Sequence, residues 1–178
     1  IASSFNKELT SELFTFMGLE MAANKVDCLL GPGMNIHRHP LNGRNFEYFS
    51  EDPFLTGKMA AAELKGMAGA GVTGTIKHFC ANNRETNRHF IDSVVSERAL
   101  REIYLKGFEI AVKEGGASSV MTTYGIVNGL WTAGNFDLNT VILREEWGFK
   151  GFTMTDWWAN INVRGKEPDK TDLAAMAR

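Results

Sequence analysis

The 178 residues are 44% hydrophobic and 22% charged, with a formal net charge of -2, the make-up of a folded globular domain rather than a disordered chain. Without a block of Lys and Arg, nucleic acid or an anionic membrane surface is excluded as the main partner, and a neutral small ligand fits better. No stretch reaches the roughly 20 apolar residues of a membrane-spanning helix.

In chain order, a helix is expected from Ser4 to Asn24, with Leu9, Leu13, Phe16, Met17 and Met21 on its buried face. The start, Ile1 to Glu8, carries no signal-peptide pattern, but it lacks Met and lies just ahead of a helix. An N-terminus upstream is therefore expected; the compartment stays open, with cytoplasm favoured over secretion or the periplasm. A strand at Val26 to Leu30 runs into Gly31-Pro32-Gly33 and a long irregular stretch to Asp52. Pro53 to Ala70 reads as a helix with Pro in its first turn and Gly71 beyond its end. Val72 to Phe79 is the second strand. After a loop, Ser96 is placed to cap a helix carrying Leu100, Ile103, Tyr104, Phe108 and Ala111, closed by Gly115-Gly116. Ser118 to Thr123 is a third strand, Tyr124 to Asn135 a loop, Asp137 to Trp147 a short helix and Gly151 to Thr155 a fourth strand. The polar tail from Arg164 to Asp172 follows. Cys28 and Cys80 sit in apolar or small-residue runs, so two buried thiols are expected rather than a disulfide.

Strands alternating with helices point to parallel βαβ units with both sheet faces covered. Each strand ends in polar residues: Asn35 and Arg44, then Lys77-His78, then Tyr124, then Asp156. In a (β/α)8 barrel that end carries the active site, and an open doubly wound sheet binds ligand at the same edge, so both folds remain open at this point. Eight βα units usually need about 250 residues, so the chain reads as about four units, a partial barrel with open sheet edges.

Asp156 ends a strand and precedes Trp157 and Trp158, which puts a carboxylate beside broad aromatic faces of the kind sugars stack on. Such a carboxylate can attack an anomeric carbon and form a covalent glycosyl-enzyme; the alternative is a turn cap beside two core tryptophans. Lys77 and His78 would hold sugar hydroxyls and keep Asp156 ionised by nearby positive charge, or else are a surface lysine and a loop histidine. Arg44 offers a forked contact to hydroxyls or a carboxylate, or else is a loop arginine paired with Glu47, Glu51 or Asp52. Tyr124 offers a phenol to the nucleophile, or else is a buried tyrosine with one backbone partner. Convergence of four strand ends on one face tips the balance toward function. The second carboxyl group of a retaining glycosidase, about 5 Å from the first, is not singled out among Glu47, Glu51, Asp52 and Glu85. His37 and His39 sit among Pro and Arg without acidic or Cys partners at ligand spacing, so no metal site is expected; no organic cofactor is expected either, and no Gly-rich phosphate loop follows a strand.

Five ordered motifs, Gly31 to Pro40, Gly43 to Pro53, Lys77 to Arg88, Met121 to Gly129 and Glu146 to Trp158, together resemble the N-terminal domain of family 3 glycoside hydrolases, in its bacterial β-glucosidase branch. The resemblance implies that residues 1–178 are part of one TIM-barrel-like domain, with the rest of the barrel and a C-terminal α/β sandwich domain outside them. It implies Asp156 as catalytic nucleophile and Arg44, Lys77, His78 and Tyr124 as ligands or supports of the sugar, with Trp157 as an aromatic wall. A sugar-binding aspartate ahead of Ile1 and an acid/base glutamate on the following domain would complete the site. The implied substrate is a small β-glucoside or oligosaccharide; β-xylosidase or α-L-arabinofuranosidase activity, or an inactive carbohydrate-binding fragment, are the alternatives, and a homo-oligomer is compatible. Cys80-Ala81-Asn82-Asn83-Arg84-Glu85 lacks the Gly-His element of the N-acetylglucosaminidase branch, and Gly125 stands where relatives often carry Asn.

Overall fold

A computed structural model describes residues 1–159, and the expected polar tail falls outside them. After a 3-10 turn at Ala2–Ser4, helix α1 spans Lys7–Ala23, strand β1 Cys28–Leu29, α2 Pro53–Gly69, β2 Thr73–Phe79 and β3 Asp92–Ser93. A long helix follows in three pieces: α3 at Glu97–Ala99, a π-helical Leu100–Tyr104 and α4 at Lys106–Lys113. Then come β4 at Ser119–Thr122, β5 at Ile126–Val127, β6 at Leu130–Trp131, a π-helical Asp137–Glu146 and β7 at Phe152–Met154.

Strands β1, β2, β4 and β7 form one sheet in that order, every pair parallel. Spatial order equals chain order, with a helical crossover between neighbours, so the sheet never reverses direction as a doubly wound sheet does at its switch point. That settles the choice between the two folds: this is a TIM-barrel-like α/β wall, a partial barrel.

The helices start where their caps dictate. Asn6 accepts from Leu9 N at α1, Asp52 from Phe54 N at α2, and Ser96 from Ala99 N at α3. The face buried by α1 differs from the expected one. Thr10, Phe14, Gly18 and Met21 turn inward, while Leu9, Leu13, Phe16 and Met17 are exposed. Close approach of α1 to α2 explains it: a Cβ on Gly18 would lie 2.7 Å from Ala70 Cβ, and one on Gly66 2.3 Å from Ser11 O. Small residues at these two points let the backbones meet, which turns Phe14 and Met21 inward and leaves Leu9, Leu13, Phe16 and Met17 on the outer side. Ile103, expected inward, is 40% exposed, because the wide turn at Leu100–Tyr104 rotates the helix face.

Behind the sheet, Phe79 meets Phe108 and Trp147 edge-on, with centroids 5.3 and 6.0 Å away. Cys80 is buried and its thiol is pushed up to about 12 by burial; Cys28 is only half-buried, and both thiols are free. A second small sheet, in which β5 pairs parallel with β3 and antiparallel with β6, lies within stretches expected to be loops. Two-residue strands are too short to leave a periodic signature.

Candidate functional site

The sequence-expected residues meet at the carboxyl end of the four-stranded sheet. Lys77 ends the regular part of β2, His78 follows it, and Asp156 lies two residues beyond β7. Gly31-Pro32, Lys77-His78 and Phe79-Cys80 are cis peptides, all at this end. Arg44 arrives from the 31–52 loop and Tyr124 from the loop after β4.

Asp156 is 7% exposed. Its Oδ1 accepts from the backbone N–H of Trp157 at 2.7 Å, and its Oδ2 lies 3.7 Å from His78 Nε2. That approach is not an ion pair. Burial first, then the charges of Arg44, Lys77 and Arg88, lower His78 to about 2, so the imidazole is neutral. Arg44 Nη1 points at His78 Nε2 from 2.9 Å; a guanidinium only donates, so Nε2 accepts and the ring proton sits on Nδ1. There it meets Tyr48 Oη at 3.3 Å. The expected positive charge of His78 is therefore not present.

Lys77 is the cation that feels the charge of Asp156. Burial lowers its pKa, while the carboxylates of Glu47 and Asp156 work in the opposite direction. Its Nζ lies 3.9 Å from Glu47 Oε2, and Glu47 Oε1 accepts from Arg44 Nε at 2.5 Å, so one carboxylate serves both cations. Burial is the largest single influence and works against the Arg44 charge, but the Glu47 hydrogen bond together with the charges of Tyr48, Glu47 and Glu85 holds the guanidinium above its ordinary value. Arg44 is thus the Glu47-paired loop arginine considered above and also a neighbour of the site histidine. Gly33 makes room for this pair, since a Cβ there would lie 2.7 Å from Glu47 Oε2.

Tyr124 donates from Oη to Trp157 O at 2.7 Å. Burial first, then the charge of Asp156, raises its phenol pKa. Trp157 and Trp158 are exposed, with ring centroids 5.6 Å apart, rather than core. Trp157 directly follows the carboxylate in the chain, with its side chain open to solvent.

The geometry also assembles residues that sequence reasoning did not single out. Asn82 Nδ2 donates to Tyr48 Oη at 3.0 Å and to Glu85 Oε1 at 2.9 Å, and Arg88 donates to Glu85 Oε2 at 3.0 Å. The Arg88 guanidinium stands 4.8 Å over the Tyr124 ring. Tyr48, Asn82 and Arg88 all lie within the quoted motifs, yet nothing in a linear pattern marks which motif residues face one another. Of the loop carboxylates, Glu47 is held by Arg44, Asp52 caps α2 and Glu85 is held by Asn82 and Arg88, whereas Glu51 is exposed. Among the described residues no group of three or more His, Cys, Asp or Glu could hold a metal ion. A cavity of about 1010 Å³, bordered by Asn82, Glu85 and Arg88, lies beside this cluster; Asp156 does not line it.

Parallel barrel strands whose carboxyl ends gather a buried aspartate, two cations, a neutral histidine and an exposed tryptophan define a TIM-barrel-like domain with a polar strand-end site. The model of the glycosyl hydrolase family 3 N terminal domain matches residues 1–177, and the chain belongs to that family. A β-glucosidase of Ruminococcus albus is 80% identical over 178 residues, all of this chain and 19% of that protein. The crystal structure of a β-glucosidase from Paenibacillus barengoltzii is 59% identical with a TM-score of 0.90, over 97% of this chain and 18% of that one. β-Glucosidase 3B from Thermotoga neapolitana, solved in complex with glucose, is 57% identical with a TM-score of 0.86, over 88% of this chain and 22% of that one. The chain spans 19–22% of the length of the curated relatives it matches.

Proposed function

We propose that this chain is the nucleophile-bearing part of a retaining exo-β-glycosidase that hydrolyses terminal non-reducing β-D-glucosyl residues. The observation that carries the reading is the Asp156 carboxylate, buried at a strand end beside neutral His78 and the Lys77–Glu47–Arg44 group. The Trp157 N–H holds Oδ1, which leaves Oδ2 on the His78 side for attack on the anomeric carbon. The Asp156 carboxylate in turn works to keep Lys77 protonated. Arg44, Lys77, His78 and Tyr124 bind or frame the sugar, and Trp157 flanks it. The acid/base is a glutamate outside the described residues, on a following domain, that protonates the leaving oxygen and then activates water. Residues 1–178 are part of a single barrel domain in this reading, which calls for no metal or organic cofactor. A relative at 57% identity in complex with glucose supports glucose as the sugar.

The test is mass spectrometry of the full-length protein after incubation with 2,4-dinitrophenyl 2-deoxy-2-fluoro-β-glucoside, whose leaving group departs without acid assistance. A glucosyl adduct on the peptide that contains Asp156 is expected. An adduct on another carboxylate, or none at all while the protein turns over aryl β-glucosides, would remove Asp156 from this role.

A further inference from the structure

We infer that Asn35 is a positioning residue for the sugar site, acting through the backbone of His78; this deepens the proposed function and rests on it. His78 interrupts the ladder between β2 and β4. Register passes from Lys77↔Met121 to Phe79↔Thr122, so His78 faces no residue of β4. Bulges of this kind re-aim a side chain, at the cost of unpaired backbone groups.

One side chain takes up both groups. His78 N donates to Asn35 Oδ1 at 2.8 Å, and Asn35 Nδ2 donates to His78 O at 2.9 Å. Asn35 and His78 are each 2% exposed, so an unmade bond here would leave a desolvated polar atom without water to replace it. A primary amide offers a donor and an acceptor side by side in one plane, which a hydroxyl or a carboxylate does not. The segment that carries Asn35 is itself fixed to β2, by Met34 N to Lys77 O at 2.8 Å and Lys77 N to Pro32 O at 3.1 Å.

This bracing reaches the site because the imidazole is gripped at both nitrogens. Nε2 faces Arg44 at 2.9 Å and Nδ1 faces Tyr48 at 3.3 Å, while Asp156 Oδ2 is 3.7 Å from Nε2. A backbone shift of a few tenths of an ångström would change all three separations together. Asn35 touches no reacting atom; it sets where the histidine stands.

Asn35→Asp keeps the shape and puts a second acceptor against His78 O. In the full-length protein with an aryl β-glucoside, this change is expected to lower kcat/KM by about 10- to 100-fold, the scale of a small misplacement in a catalytic group. On a His78→Ala background the same change is expected to cost less than about twofold, because its effect passes through His78. Asn35→Ser provides a second variant should the aspartate prevent folding, with the same coupling expected. Losses that add fully in the double variants, or wild-type kcat/KM in both Asn35 variants, overturn the inference while leaving the glycosidase reading intact. A wild-type protein inactive on every β-glycoside overturns both.

Discussion

On the outer helices the charges, apart from half-buried Glu109, are largely exposed, and they pair along the helix or between neighbours. Arg98 meets Glu102, Arg101 meets Glu97 and Glu146, and Glu109 meets both Lys106 and Lys113. At the strand ends the charges are enclosed and shared: Glu47 serves Arg44 and Lys77, Arg44 also serves neutral His78, and Asp156 is only 7% exposed. The two regions share Arg, Lys and Glu, yet water screens the first and is largely absent from the second. The same substitution should therefore cost little in one region and much in the other.

The sharpest test is at the carboxylate. Asp156→Asn keeps the Trp157 contact but replaces the oxygen proposed to attack the sugar, and is expected to reduce turnover of aryl β-glucosides by about 10³-fold or more with little change in thermal midpoint. Steady-state kinetics on the full-length protein check it. Next is Arg44→Lys, which keeps the charge but loses the fork that reaches Glu47 and His78 at once. A fall of about 10²-fold in kcat/KM is expected; near-wild-type activity would mean that charge alone suffices.

Glu63 belongs to neither region. It is 3% exposed within α2, and burial raises its pKa to about 8 from the ordinary carboxyl value of 4.5. The folded state then holds a proton that the unfolded state releases between those pH values, so stability falls as pH rises through this window. Glu63→Gln is expected to abolish that slope and to gain on the order of 2 kcal/mol above pH 8, measured by denaturant unfolding across pH. The smallest effect is expected at Arg98→Ala, within about 0.5 kcal/mol of wild type, because its 84%-exposed side chain makes a screened i,i+4 pair. A loss comparable to that at a strand end would break the comparison.

Much of this molecule is legible in the chain itself. The four strands of the main sheet, the cap at Ser96 and the helix from Pro53 follow from short apolar runs, capping chemistry and Pro and Gly punctuation, which are local signals. The strand ends also announce Lys77, His78, Tyr124 and Asp156, because a polar residue directly after an apolar run is visible without any contact. The inward face of α1 is not legible. Leu9, Leu13 and Phe16 give the stronger apolar stripe, but the seam belongs to Gly18 and Gly66, whose missing side chains matter only when another helix stands against them.

The same division runs through the site. Sequence by itself determined the alternation of strands and helices, the residue types at the strand ends and the family they resemble, since each rests on neighbours along the chain. Tertiary structure alone decided that the sheet runs β1-β2-β4-β7, that Glu47 serves two cations, that burial leaves His78 neutral while Arg44 sets its proton on Nδ1, and that Asn35 completes the backbone of His78. Those facts depend on groups 30 to 43 residues apart meeting where water is excluded, as Tyr48 and Asn35 do with His78. Charge, tautomer and hydrogen-bond pairing are set there by burial and by the nearest neighbour in space, which a linear pattern does not encode.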